Sequence, residues 1–241
     1  MIFVWSKRQK EYWEYAGAPS DSIHIIGQVR SDLLFDRPLA RDKRYTHNIL
    51  FFTYEDTAYI PHELVEKGET WEELKQDTHQ LLLEFADNFP NVSFTVKAHP
   101  QQIDLEKIQK QMKRENITVI GGSATATELI INSDLVISFQ STVVLESLLL
   151  RKPTIYTDWS NLVHITRETI LPFFDLPCVY TAKSKEDLNK KLHSFLNNNK
   201  EDFYFSDKEW KEAEEFINIY IEDADGNVSK RFNNLLVDLL N

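Results

Sequence analysis

The sequence predicts an α/β fold, a doubly wound parallel sheet closed by C-terminal helices. Short apolar runs rich in Val, Ile and Phe alternate with longer amphipathic segments, the pattern of strands joined by crossover helices. The alternation is regular from Ile49 to Tyr180, and the last two helical segments follow one another with no strand between them.

In chain order, a strand at residues 2–5, a helix at 6–15 and a strand at 23–26 come first. They are too little for a separate domain and read like the end of something longer. An irregular connection, 27–47, then carries Arg30, Asp32, Asp36 and Arg37. Core strands at 49–53, 92–96, 117–120, 135–138, 154–156 and near 178–180 alternate with helices at 71–88, 104–115, 125–131, 143–150 and 185–197. A second irregular connection, 53–70, holds Tyr54, Glu55, Asp56 and His62; connections of this length are more often functional or disordered than idle. Helices at 207–221 and 227–240 close the chain, wrapping over the sheet or onto another domain. The expected division is 1–47 as a linker-like strand, helix, strand and loop, 48–205 as the α/β domain, and 206–241 as closing helices.

Composition narrows the function classes. A content of 42% hydrophobic and 12% aromatic residues supports a globular core, and no run reaches the ~18 to 20 apolar residues of a membrane helix. The opening residues lack the order of a signal peptide, so the expected location is cytoplasmic. One cysteine, Cys178, excludes an intrachain disulfide framework and a Cys-rich zinc site, and is itself expected within a strand. The triplets at Asn91, Asn116 and Asn227 are therefore read as chance rather than glycosylation acceptors. A net charge of −11 argues against a nucleic-acid partner. The short basic runs Lys7 to Lys10 and Arg41 to Arg44 are either solvated faces or contacts to an anionic membrane or a phosphorylated substrate.

In an open parallel sheet, ligands bind beyond the carboxyl ends of the strands, where the strand order reverses. The residues following each core strand are Thr53-Tyr54-Glu55, Lys97-Ala98-His99-Pro100, Gly121-Gly122-Ser123 and Ser138-Phe139-Gln140-Ser141-Thr142. Ser141 and Thr142 begin a helix. They are either an N-cap or part of a phosphate site made with the free N–H groups there. Glu146, the one charged residue on that helix, either accepts ribose hydroxyls or complements the dipole. Lys97 and His99, fixed by Pro100, are either polar loop residues or an anion clamp.

Other motifs are absent. There is no G-x-G-x-x-G, no P-loop and no G-x-S-x-G, and the sequence Asp223-Ala224-Asp225-Gly226 is out of register for a calcium loop. No metal site is expected.

The stretches "VKAHP" and "SDLVISFQSTVVLESLLLRKPTIY" together resemble the C-terminal, nucleotide-binding half of GT-B glycosyltransferases of the bacterial surface-carbohydrate group. That group includes CDP-glycerol glycerophosphotransferases, capsule Kdo-transferases and bacterial sialyltransferases. Lys97, His99 and Pro100 match its K-x-H-P. Ser133-Asp134, Ser138, Ser141-Thr142, Glu146 and Lys152-Pro153 match its second signature. Gly27 and Asp32 fit its G-x-x-x-x-D, and Asp225, Gly226, Ser229 and Arg231 resemble its closing helix.

The resemblance implies a metal-independent transferase with a Rossmann-like donor domain in capsule, teichoic-acid or lipopolysaccharide assembly, at the inner face of the membrane and at most peripherally attached. It implies that His99 contacts the donor phosphate or cytosine, that Ser141 and Thr142 hold phosphate, and that Glu146 takes the ribose. Ser138 and Gln140 complete the donor set, with Arg30, Asp32, Thr53 and Gly122 as loop contacts. No cofactor is implied; the ligand is a CMP-, CDP- or UDP-activated sugar or polyol. The acceptor half is expected to come from another polypeptide or a second copy, unless the chain is a fragment. The alternatives are a UDP-sugar 2-epimerase-like enzyme and a non-catalytic nucleotide-binding subunit.

Overall fold

A computed structural model describes residues 1–35, 44–100, 102–122, 126–167, 170–197 and 203–240. Asp36, Arg37, Arg41, Ser123 and Thr125 lie outside the described residues. Strands β1 (Ile2–Val4) and β2 (Ile23–Ile25) pair in parallel as a small sheet, joined by helix α1 (Lys7–Tyr15). The main sheet contains β3 (His47–Phe52), β4 (Val92–Lys97), β5 (Ile117–Ile120), β6 (Leu135–Ser138), β7 (Thr154–Thr157) and β8 (Tyr180–Ala182). These six strands are all parallel, in the order β5-β4-β3-β6-β7-β8. Numbered from β3 this is the 3-2-1-4-5-6 order of a doubly wound Rossmann sheet.

The central strand shows why the sheet is covered on both faces. Successive side chains of β3 point to opposite sides. Ile49 and Phe51 join a large core with Leu81 and Phe85 of α3 (Glu72–Asn88), while Leu50 and Phe52 meet Ile130 of α5 (Ala126–Asn132) and Val143 of α6 (Val143–Leu149). Both cores need apolar residues, so the strand carries no polar alternation.

The remaining helices are α2 (His62–Val65), α4 (Leu105–Gln111), α7 (Asn161–Thr166), α8 (Lys185–Leu196), α9 (Asp207–Tyr220) and α10 (Val228–Leu240). Helix α9 begins with a capping box, Ser206 and Glu209, and packs on α6 and α1, burying Ala213 and Ile217. Helix α10 packs on the 3₁₀ segment Val29–Leu34, and Phe232 meets Phe3 edge-on at 5.0 Å. Its cap comes from far away in sequence: the Asp32 carboxylate accepts hydrogen bonds from Val228 N at 2.9 Å and Ser229 N at 2.7 Å. Gly27, at φ 82°, completes this clasp, because a Cβ there would lie 2.6 Å from the Glu222 carbonyl oxygen.

Two boundaries differ from the sequence expectation, and two short helices were not expected. The helix expected at 104–115 ends at Gln111. The Asn116 amide donates to the carbonyls of Ala86, Phe89 and Val92, so the chain must leave the helix early to bring it there. The last strand begins at Tyr180, and Cys178 is not a strand residue: it sits before β8 at φ 64°, buried, in the turn closed by Val179 N to Leu176 O. Burial pushes its thiol up to about 12, so it is not a nucleophile at neutral pH. Helices α2 and α7, four and six residues long, went unrecognised because neither is long enough to show a helical period. Among the described residues no helix is long and apolar enough to cross a membrane.

Candidate functional site

The carboxyl ends of β3, β4 and β6 and the residues after β5 surround a cavity of about 720 Å³. It lies where the winding reverses, since β3 runs between β4 and β6. Its floor includes Thr53 and Phe139. The Thr53 hydroxyl is buried in this wall and has no hydrogen-bond partner among the described residues, which marks a polar group waiting on a ligand or water.

On the β4 side stand Tyr54, Tyr59, His99 and Pro100. The Gln102 side chain accepts from His99 N at 3.2 Å and donates to Tyr54 O at 3.1 Å and to Asp104 Oδ1 at 2.9 Å. Buried Lys75 holds Asp104 at 2.9 Å and also pairs with Asp56, so this network fixes the loops after β3 and β4 against each other. Those two carboxylates hold the Lys75 amine charged against the opposing effect of burial, which is the larger single influence. Sequence reasoning missed Gln102, Lys75 and Asp104; a lysine in an otherwise core-facing row of α3 was the available signal.

Lys97 lines the cavity, but its amine is turned largely to the backbone. Its Nζ donates to the carbonyls of Ala98 at 2.6 Å and Gly122 at 3.2 Å, and burial lowers its pKa. It braces the exits of β4 and β5, with Gly122 at φ 63° beside it.

On the β6 side stand Arg30, Ser141 and Thr142. Thr142 occupies the N-cap position of α6, yet its side chain makes no capping bond, and it is exposed. The Ser141 hydroxyl accepts from Val143 N only at 3.5 Å. The helix end itself offers less than its sequence suggests: Val144 N and Leu145 N already donate to Ser141 O and Thr142 O. A phosphate here would meet hydroxyls and Arg30 rather than a row of free amides.

Glu146 does not open onto the cavity. It is 1% exposed, accepts from Arg30 at 2.6 Å on one oxygen and from the Thr127 hydroxyl at 3.3 Å on the other. Burial raises its pKa, opposed by Arg30 and Thr127. The Arg30 side chain is 50% exposed, so the pair holds a cation at the cavity wall by one edge of its guanidinium.

Gln140 lines the cavity with its backbone at φ 42°, but its amide donates to Tyr156 Oη at 2.6 Å and Leu171 O at 3.0 Å while its oxygen accepts from Leu171 N. Ser138 is fully buried beneath, its hydroxyl without a partner among the described residues. Asp32 lies away from the cavity, both oxygens engaged by α10. Among the described residues no group of three His, Cys, Asp or Glu could hold a metal ion.

The profile of the family "CDP-Glycerol:Poly(glycerophosphate) glycerophosphotransferase" matches residues 4–238. The chain belongs to this glycerophosphotransferase family. No curated protein matches its sequence. Among solved structures, the glycerophosphotransferase-family chain is similar to the wall teichoic acid polymerase TagF with CDPG, with a TM-score of 0.62, 13% identity, and coverage of 98% of this chain and 55% of that one. It is also similar to a UDP-N-acetylglucosamine 2-epimerase from Listeria monocytogenes (TM-score 0.54, 14% identity, 99% and 59% covered). An epimerase from Neisseria meningitidis bound to UDP-GlcNAc gives a TM-score of 0.52 at 16% identity, with 98% and 60% covered. The chain thus spans about 55 to 60% of the length of these structures, and at such identities the likeness is one of fold.

Proposed function

We propose that the cavity binds the nucleotide of an activated donor of the CDP-glycerol class, and that the chain supplies the donor side of a surface-polymer transferase. The observation that carries this is the gathering of Arg30, Ser141 and Thr142 on one side of β3 and His99 on the other, in one cavity at the switch point. Its volume lies within the ~300 to 1,000 Å³ of small-molecule sites.

Arg30 and the two hydroxyls meet the phosphates, and the β4 side receives the base. In the reaction an acceptor hydroxyl attacks the glycerol-bearing phosphorus, a new P–O bond forms, the P–O bond to CMP breaks, and CMP departs with the electron pair while the hydroxyl proton passes to a base. Arg30 favours the charge on the departing phosphate. No metal held by Asp223 or Asp225 takes part, so EDTA leaves nucleotide affinity unchanged. The polymer made, whether teichoic acid or another bacterial surface glycan, is set by the acceptor, and the work is done on the cytoplasmic face.

Thermal unfolding with CDP, UDP, GDP and CMP tests this. A nucleotide at 100 times its Kd stabilises by about 2.7 kcal/mol, which raises Tm by roughly 5 to 10 °C in a chain of this size. CDP is expected to give the largest rise. Selective stabilisation by UDP-N-acetylglucosamine, with epimerised product, would favour the epimerase fold-mates, and no rise with any nucleotide would overturn the proposal.

A further inference from the structure

We propose that Tyr59 is the residue on which the nucleobase stacks, and so a determinant of nucleotide affinity; this rests on the donor reading above. Tyr59 has φ 62°, in the left-handed region that L-residues with bulky side chains avoid. The surrounding loop leaves it little choice. Fully buried Trp71 donates its indole N–H to Ala58 O at 2.7 Å and its backbone N–H to Asp56 O at 2.7 Å. Ala58 N donates to Glu55 O and Ile60 N to Thr57 O, so the backbone is tied on both sides of Tyr59.

A glycine or asparagine would adopt this conformation with little strain. The chain instead places there a ring that is 61% exposed and forms part of the cavity wall. Burial cannot explain an aromatic in that position, and local backbone preference opposes it; an outlier of this kind at a cavity points to function. Tyr59 lines the same cavity as His99 and Pro100, and its loop is tied to theirs, because Ile103 N donates to Glu55 and Gln102 to Tyr54 O. The cationic and hydroxyl groups for phosphate lie on the other side of β3. A nucleotide laid across the switch point therefore brings its base to Tyr59. Stacking on one aromatic face tolerates any base, and the edge contacts at His99 then select among bases.

Calorimetric titration of CDP and of pyrophosphate into wild type, Tyr59→Phe, Tyr59→Ala and Tyr59→Gly tests this. Tyr59→Ala and Tyr59→Gly should weaken CDP by roughly five- to 150-fold and leave pyrophosphate unchanged. Tyr59→Phe should bind CDP as wild type does, and Tyr59→Gly should melt no lower than wild type because it relieves the strained φ. Unchanged CDP affinity in the Ala and Gly variants, or an equal loss of CDP and pyrophosphate, would overturn the assignment while leaving the donor reading intact. A wild type that binds neither ligand would overturn both.

Discussion

The cavity at the switch point and the clasp between Gly27–Asp32 and α10 share kinds of residue, Gly, Ser and Arg, yet their charged groups are used differently. In the clasp the charged groups find their partners within the chain, although the buried Gln28 and Ser31 side chains have none among the described residues. Asp32 caps α10, Arg231 donates to Asp225 at 2.8 Å and to Asp223 O, and Gly27 admits the Glu222 carbonyl. At the cavity, among the described residues, the Thr53 hydroxyl has no partner, the Thr142 hydroxyl makes no capping bond, and Arg30 is held by one edge. A polar motif reads as structural where its charged groups are paired internally and as a binding site where its polar groups line a hollow.

Arg30 belongs to both regions, so its variants break the comparison most sharply. Arg30→Ala should weaken CDP by tenfold to a hundredfold through loss of a charged hydrogen bond of about 1.5 to 3 kcal/mol. It also strands the Glu146 carboxylate. A carboxyl whose folded pKa is raised binds its proton more tightly folded than unfolded, so stability falls as pH rises from its ordinary 4.5 through the raised value. That fall should be steeper in Arg30→Ala than in wild type. The double variant Arg30→Ala, Glu146→Gln should recover stability at neutral pH but not CDP affinity, as read by melting curves and calorimetry. Recovery of both would make the pair purely structural.

Asp32→Ala tests the clasp. It leaves the N–H groups of Val228 and Ser229 without an acceptor, at about 1 to 3 kcal/mol, a drop of roughly 2 to 10 °C in Tm. CDP affinity should change less than threefold. Burial and the hydrogen bonds from α10 act oppositely on Asp32, and the net pKa is lowered, so its contribution is present above the unfolded carboxylate value near 3.8 and is lost as pH falls through the folded value.

Thr142→Val gives the smallest effect. Its hydroxyl makes no capping bond, so Tm should stay within about 1 °C, while CDP should weaken by roughly two- to tenfold. A large fall in Tm with unchanged CDP affinity would turn Thr142 back into a helix cap.

The contrast also explains what the sequence could reveal. Strand and helix positions in the core were legible because β3 and β6 are continuous apolar runs and α3 buries apolar residues at helical spacing, and most core-strand boundaries agree within one or two residues. The gathering of His99, Ser141 and Thr142 was legible from their place after parallel strands. The partners of Lys97, Gln140 and Glu146 were not, because each is decided by a group distant in sequence or by carbonyls that no side-chain pattern displays: Gly122 O, Leu171 and Arg30. Asp32 was visible as a motif residue, but its role depends on α10, 196 positions later in the chain. Tyr59 left no trace in the pattern, since a backbone φ is invisible in a residue type that normally avoids it.

The central claim is that the cavity between β4 and β6 binds a nucleotide through groups on both sides of β3. Titrating CDP into wild type and His99→Ala by calorimetry, with circular dichroism showing both folded, tests it most directly. Saturable binding to wild type is expected, with a Kd about tenfold to a hundredfold weaker for His99→Ala. Equal affinity of the two proteins for CDP would contradict it.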